Sequence, residues 1–224
     1  MRIFRDIAKQ FINLQPSMDI SDKDLEYLIT MVNLYNDIRL LPGHIAEIGV
    51  AEGRNAVIFG MLIKLFGDHN LRQYVGFDTF NGYLDRDITR DPHLNPRAWK
   101  NLDMQRVMRR CQDNNVEKLV EFHMGDVVEA APKILREHKG LRYQPGKARF
   151  VLLYIDCNAY EAAIDSMRIF LPYMVPGGRI VIDEKMQGGE TEALISFAKE
   201  ANLKLSLREG LGGYSNLLIP STES

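Results

Sequence analysis

The sequence predicts an α/β fold built on one mostly parallel, seven-stranded sheet with helices on both faces. Three observations predict it. Short apolar runs of strand length alternate with longer, helix-like segments along the chain, the pattern of a doubly wound sheet. The first such run, HIAEIGV, breaks at Gly49 and Gly53 and continues as AVIFGMLIKLF, a strand, a glycine turn and a buried helix. The last stretch, LKLSLREGLGGYSNLLIP, reads as a hairpin that closes the sheet with one antiparallel strand.

Taken in order, residues 1–41 form an N-terminal helical extension. Ser21-Asp22-Lys23-Asp24 can cap a helix through LEYLITMVNLYNDIRLL that Pro42-Gly43 stops. This helix is read as a packing or oligomerisation element, so a homodimer or higher homo-oligomer is expected. The other reading has Thr30 and Met31 reach over a ligand site. Residues 42–224 form the second unit, a single ligand-binding domain. After the first strand and helix, QYVGFD is a second strand ending in Asp78. Residues 79–100 are polar, hold Pro92 and Pro96, and carry Phe80, Tyr83 and Trp99. They are expected to form a lid, or else a surface excursion with its aromatics tucked into the core.

A helix over NLDMQRVMRRCQDNN leads to the strand LVEFHM, the turn Gly125-Asp126 and the helix VVEAAPKILREH. In the basic loop 139–149, Tyr143-x-x-x-Lys147 has the spacing of a dehydrogenase dyad. Pro145 and Gly146 deny it the helix that would put both side chains on one face. FVLLYID, an unbroken apolar run ending in Asp156, is the expected central strand. The helix AYEAAIDSMRIFLPYM, the turn Val175-Pro176-Gly177-Gly178, the strand RIVIDE and the helix GGETEALISFAKEAN complete the alternation.

With 224 residues and 46% hydrophobic content, the chain can bury one substantial core, and no linker divides it. A net charge of −2 with scattered basic residues gives no case for nucleic acid. Two cysteines, Cys111 and Cys157, make no disulfide framework. The charged N-terminus lacks the apolar core of a signal peptide, and no apolar run is long enough to span a membrane. The expectation is a cytoplasmic protein with a small-molecule partner, no membrane association and no nucleic acid.

The glycine turn carries the chemistry. It lacks the G-x-G-x-x-G fingerprint of dinucleotide binding and places Glu47 two residues before Gly49. A carboxylate there suits a ligand with a free amino group and a sulfonium, which favours S-adenosylmethionine over NAD. Glycine φ angles required by a tight turn would explain the same residues without a ligand. Asp78 stands where such folds hold ribose hydroxyls, or else caps its turn. Asp126 can meet an adenine amino group or cap the next helix. Asp156, Asp183 and Glu184 end strands expected to be neighbours. Such an acidic gathering suits Mg²⁺, or is neutralised by Lys185 or an arginine.

Together, LPGHIAEIGVAEGRN, VGFDTFNGY, EFHMGDVVEAAPKIL and LLYIDCNAYEAAIDSM…LPYMVPGGRIVIDE resemble the macrocin O-methyltransferase family. These are Rossmann-like class I S-adenosylmethionine-dependent enzymes that methylate sugar hydroxyls of natural products. The resemblance runs from about Thr30 to about Ala198. It implies that Glu47, Gly49, Gly53, Asp78, Asp126 and Asp156 serve the cofactor, and that Asp156, Asp183 and Glu184 hold Mg²⁺. It implies catalytic roles at Asp156 and at Asn158, which stands at the family's base position. The family commonly reads Asp-Gly-Asp where this chain has Asp156-Cys157-Asn158, and an amide cannot take a proton at neutral pH. The implied activity is Mg-assisted O-methylation of a sugar hydroxyl or other polyhydroxylated small molecule. A non-catalytic cofactor-binding scaffold and, less in keeping with the turn, a nicotinamide-dependent oxidoreductase are the rival readings.

Overall fold

A computed structural model describes residues 21–137, 149–183, 188–208 and 211–220. The chain opens with helix α1 (Asp22–Ile38), whose Ser21 and Asp24 form the expected capping box. Strand β1 (His44–Ile48), helix α2 (Arg54–Phe66) and strand β2 (Tyr74–Asp78) follow. Within the lid segment lies a short helix, α3 (Asp85–Arg90), and after it α4 (Met104–Asp113). Then come β3 (Val120–Met124), α5 (Val127–Glu137), β4 (Phe150–Ile155) and α6 (Tyr160–Phe170). Strand β5 (Met174–Ile182), helix α7 (Gly189–Glu200) and strands β6 (Leu205–Arg208) and β7 (Tyr214–Leu218) complete it.

The seven strands lie in the order β3-β2-β1-β4-β5-β7-β6. The pairings among the first five are parallel, while β7 runs antiparallel to both β5 and β6. The predicted sheet and its single antiparallel strand are therefore present. Strands β1 and β4 are buried along their whole length, as central strands covered on both faces must be. One face packs α5, α6 and α7 through residues such as Leu135, Met167 and Phe197. The other packs α1 and α2 through Leu34, Tyr35, Phe59 and Leu62. Strand order reverses between β1 and β4, and in an open α/β sheet the ligand crevice lies beyond the carboxyl ends at that point.

One difference from the sequence reading has a local cause. Val175–Gly178, expected as a turn, is the irregular start of β5. The register slips between Phe150 and Leu152, and Gly177 takes a φ of +78° there. Helix α1 is part of the core, with Met31, Leu34, Tyr35 and Ile38 fully buried. Its C-terminal turn is tied to the closing strands through Asp37, which accepts from Tyr214 Oη at 2.6 Å and meets Arg208 at 3.3 Å. No described helix is long and apolar enough to cross a membrane.

Candidate functional site

The site begins where three strand ends meet. Gly49 has a φ of +90°, and a Cβ there would lie 2.0 Å from the Asp156 carbonyl oxygen, so only glycine fits. Gly49 N–H donates to Phe77 O at 2.9 Å and Asp156 N–H to Ile48 O at 2.8 Å, which fixes β1, β2 and β4 together. Beyond Gly49, the Val50 and Ala51 amides donate to one oxygen of Asp78 at 2.7 and 2.8 Å. The Phe80 amide donates to its other oxygen at 2.6 Å. Asp78 thus holds both the glycine turn and the root of the lid, and it lines the cavity with one carboxylate lone pair left over. Gly53, at φ +79°, begins α2, and its missing Cβ makes room for Val107 of α4.

Glu47 lies behind this turn, fully buried. One of its oxygens accepts from Asn55 Nδ2 at 2.5 Å and the other from the Tyr74 hydroxyl. Asn55 in turn accepts from the Tyr27 hydroxyl of α1. Burial, and then the Asp156 charge, push the Glu47 carboxyl well above the ordinary glutamate range. Tyr27 is raised by burial and then by Asp183, Glu47 and Asp156, so three acids lie within electrostatic reach of one phenol. Asp183 accepts from the Tyr154 hydroxyl at 2.6 Å. The phenols stay protonated on the α1 side of the sheet, Tyr74 and Tyr154 donating to carboxylates and Tyr27 to the Asn55 amide oxygen.

In front of the turn is a cavity with about 770 Å³ of empty space, part of it open solvent. Of the predicted residues, Gly49, Asp78, Asp126, Asp156 and Asn158 line it, while Glu47, Gly53 and Asp183 stand behind the lining. Glu184 lies outside the described residues. Among the described residues no group of three metal-ligating side chains gathers. Asp126 caps α5 through the Val128 amide at 3.0 Å and pairs in a bidentate way with Arg86, both contacts at 2.7 Å.

Sequence reasoning missed how side chains from afar hold this cavity. Glu190, fully buried at the start of α7, accepts with one oxygen from the backbone amides of both Cys157 and Asn158. It thereby sets the turn in which Asn158 takes a φ of +59°. The Gly188-Gly189 pair before it was the available signal. A Cβ on Gly189 would lie 2.7 Å from both the Tyr160 amide and an Asp91 oxygen. The lid segment is docked, not loose. Asp91 accepts from the Tyr160 amide at 2.7 Å, at the N-terminus of α6.

A family model described as a methyltransferase domain matches residues 46–184. No curated protein sequence matches the chain. Among solved structures, the calicheamicin methyltransferase CalS11 is 24% identical, with 89% of this chain and 80% of that one covered at a TM-score of 0.71. An apo structure of CalS11, described as a TDP-rhamnose 3'-O-methyltransferase, is 25% identical over 89% and 81% of the two chains at 0.64. The O-methyltransferase NovP is 15% identical over 92% and 84% at 0.71. With the sheet order, the glycine turn and the family match agreeing, this chain belongs to the methyltransferase-domain family and is an S-adenosylmethionine-dependent methyltransferase of the class I fold.

Proposed function

We propose that the chain transfers a methyl group from S-adenosylmethionine to a hydroxyl of a sugar or other polyhydroxylated small molecule of natural-product type. The observation that carries this reading is the pairing, in one cavity, of the glycine turn with Asp156 and Asn158, polar groups suited to acceptor hydroxyls. The resemblance to the macrocin O-methyltransferases and the TDP-rhamnose activity named for CalS11 support the acceptor class. Gly49, Asp78 and Asp126 would line the cofactor's place, with Arg86 parting from Asp126 to admit the adenine. Glu47 would act from behind the turn, fixing Asn55 by accepting from its side-chain amide.

Methyl transfer needs the acceptor oxygen in line with the methyl–sulfur bond, about 3 Å away and shielded from water. The docked lid supplies the shield. Asn158 can orient a hydroxyl by donating and accepting but cannot remove its proton, which leaves Asp156 as the carboxylate at that end. Asp156 and Asp183 follow the register pair Ile155–Ile182 on adjacent strands, and Mg²⁺ is commonly held by one or two carboxylates with water. Those are the two residues that would hold such an ion, Asp183 while also accepting from the Tyr154 hydroxyl, and the ion would lower a hydroxyl pKa. The test is incubation with S-adenosylmethionine and TDP-rhamnose, with Mg²⁺ or with EDTA, read by mass spectrometry for a singly methylated product. Asp156→Ala is expected to lower turnover by about 100-fold or more while S-adenosylhomocysteine affinity stays within about threefold. Equal losses of rate and of cofactor affinity would contradict the role given to Asp156.

A further inference from the structure

The three lid aromatics have different fates. Phe80 is buried against Val50 and Val107 in a small satellite core. Tyr83 and Trp99 are not absorbed in this way: both line the cavity, Tyr83 half-buried and Trp99 49% exposed. Large apolar side chains left at a cavity mouth mark a contact surface more often than a packing role.

The backbone is shaped to put them there. Trp99 has a φ of +58° and Asn101 a φ of +59°, a conformation that bulky residues adopt only when their surroundings impose it. Gly82, at φ +82°, lets its strand of chain close on Ala98, whose carbonyl oxygen would lie 2.7 Å from an added Cβ. The Thr79 hydroxyl secures this crossing by donating to Gly82 O at 2.7 Å. Tyr83 and Trp99 thereby become neighbours across the crossing and line one cavity together. The same cavity is lined by Asp156 and Asn158, a carboxylate and an amide, with Glu190 fixing the Asn158 backbone.

We infer that Tyr83 and Trp99 form the acceptor platform, taking the apolar C–H face of a sugar ring while Asp156 and Asn158 engage its hydroxyls. This rests on the acceptor class proposed above. A pyranose has one weakly polar face and a rim of hydroxyls, which matches an aromatic pair that shares its cavity with a carboxylate and an amide. An acyclic polyol offers the hydroxyls without the face. Trp99 is a specificity-determining residue on this account, and it touches acceptor, not cofactor.

Trp99 is the chain's single tryptophan, so its emission reports on the platform directly. The experiment saturates the full chain with S-adenosylhomocysteine, then titrates TDP-rhamnose and, separately, sorbitol while following tryptophan emission. A saturable change with the sugar nucleotide and none with sorbitol is expected. Tyr83→Ala should weaken that binding by about tenfold and Tyr83→Phe by much less. By calorimetry, Trp99→Ala should lose about tenfold in sugar-nucleotide affinity and Trp99→Phe should recover most of it, with S-adenosylhomocysteine affinity and the thermal midpoint unchanged. No saturable emission change, or wild-type sugar binding by Trp99→Ala, would overturn the platform. Binding that passes these tests without methylated product would sink the proposed reaction and leave the platform standing.

Discussion

The two ends of the cavity are built by different means. At the cofactor end, the structure is made of backbone. Gly49 lies against the Asp156 carbonyl with no room for a Cβ, and Asp78 ties three amides that lie within 30 residues of one another in the chain. At the acceptor end it is made of side chains that arrive from elsewhere: Glu190 on the amides of residues 157 and 158, and Asp91 on Tyr160. The first end has geometry that only one residue type satisfies. The second is held by charge and hydrogen bonds that can be exchanged while the fold survives. A cofactor shared by a whole enzyme class suits the first construction, and an acceptor that differs between relatives suits the second.

The largest effect should come from breaking the backbone end. Gly49→Ala forces a Cβ into the Asp156 carbonyl and demands a positive φ from alanine, so a loss of about 3–5 kcal/mol is expected. Chemical denaturation would measure it, and S-adenosylhomocysteine binding should vanish with it. A variant of normal stability that still bound would refute the close-approach argument.

A smaller, more selective effect is expected at the other end. Glu190→Ala removes the shared acceptor of the Cys157 and Asn158 amides, so kcat should fall by about tenfold with cofactor affinity nearly unchanged. Glu190→Gln keeps an oxygen in place and should restore most of the rate. Steady-state kinetics beside a cofactor titration separates the two ends. Parallel losses of kcat and cofactor affinity would mean that Glu190 supports the whole sheet edge and not the acceptor turn.

The smallest effect lies away from both ends, at the start of β1. His44 is fully buried, accepts from the Gln73 amide at 3.1 Å, and has its pKa held down to about 4 by burial and then by Arg72. Its folded pKa lies below the unfolded value, so its contribution is present above the unfolded pKa and is lost as pH falls from there toward about 4. Between pH 7 and pH 5.5 the loss should be roughly 1 kcal/mol, a shift of a few degrees in the thermal midpoint. In His44→Gln that part of the pH slope should disappear, while the catalytic pH profile keeps its shape.

The same contrast explains what the sequence could show. Alternating runs specify the sheet because burial on both faces writes itself as unbroken apolar strands, FVLLYI above all. Gly49 and Asp78 were legible because a tight turn and a strand-end acid constrain residue type locally. Asp126 was legible as a strand-end acid, but its bidentate pairing with Arg86, 40 positions away, leaves no trace in either local pattern. Glu190 was invisible for the same reason, its targets lying 33 and 32 positions away. The lid's aromatics were visible as a group, yet only the fold sends Phe80 into a core and leaves Tyr83 and Trp99 at the cavity.

The most direct test of the central claim is calorimetric titration of the purified chain with S-adenosylhomocysteine and, separately, with NAD⁺. Single-site, micromolar binding of S-adenosylhomocysteine is expected, with its loss in Asp78→Ala and no heat from NAD⁺. Absence of S-adenosylhomocysteine binding, or binding of NAD⁺ in its place, would contradict that claim.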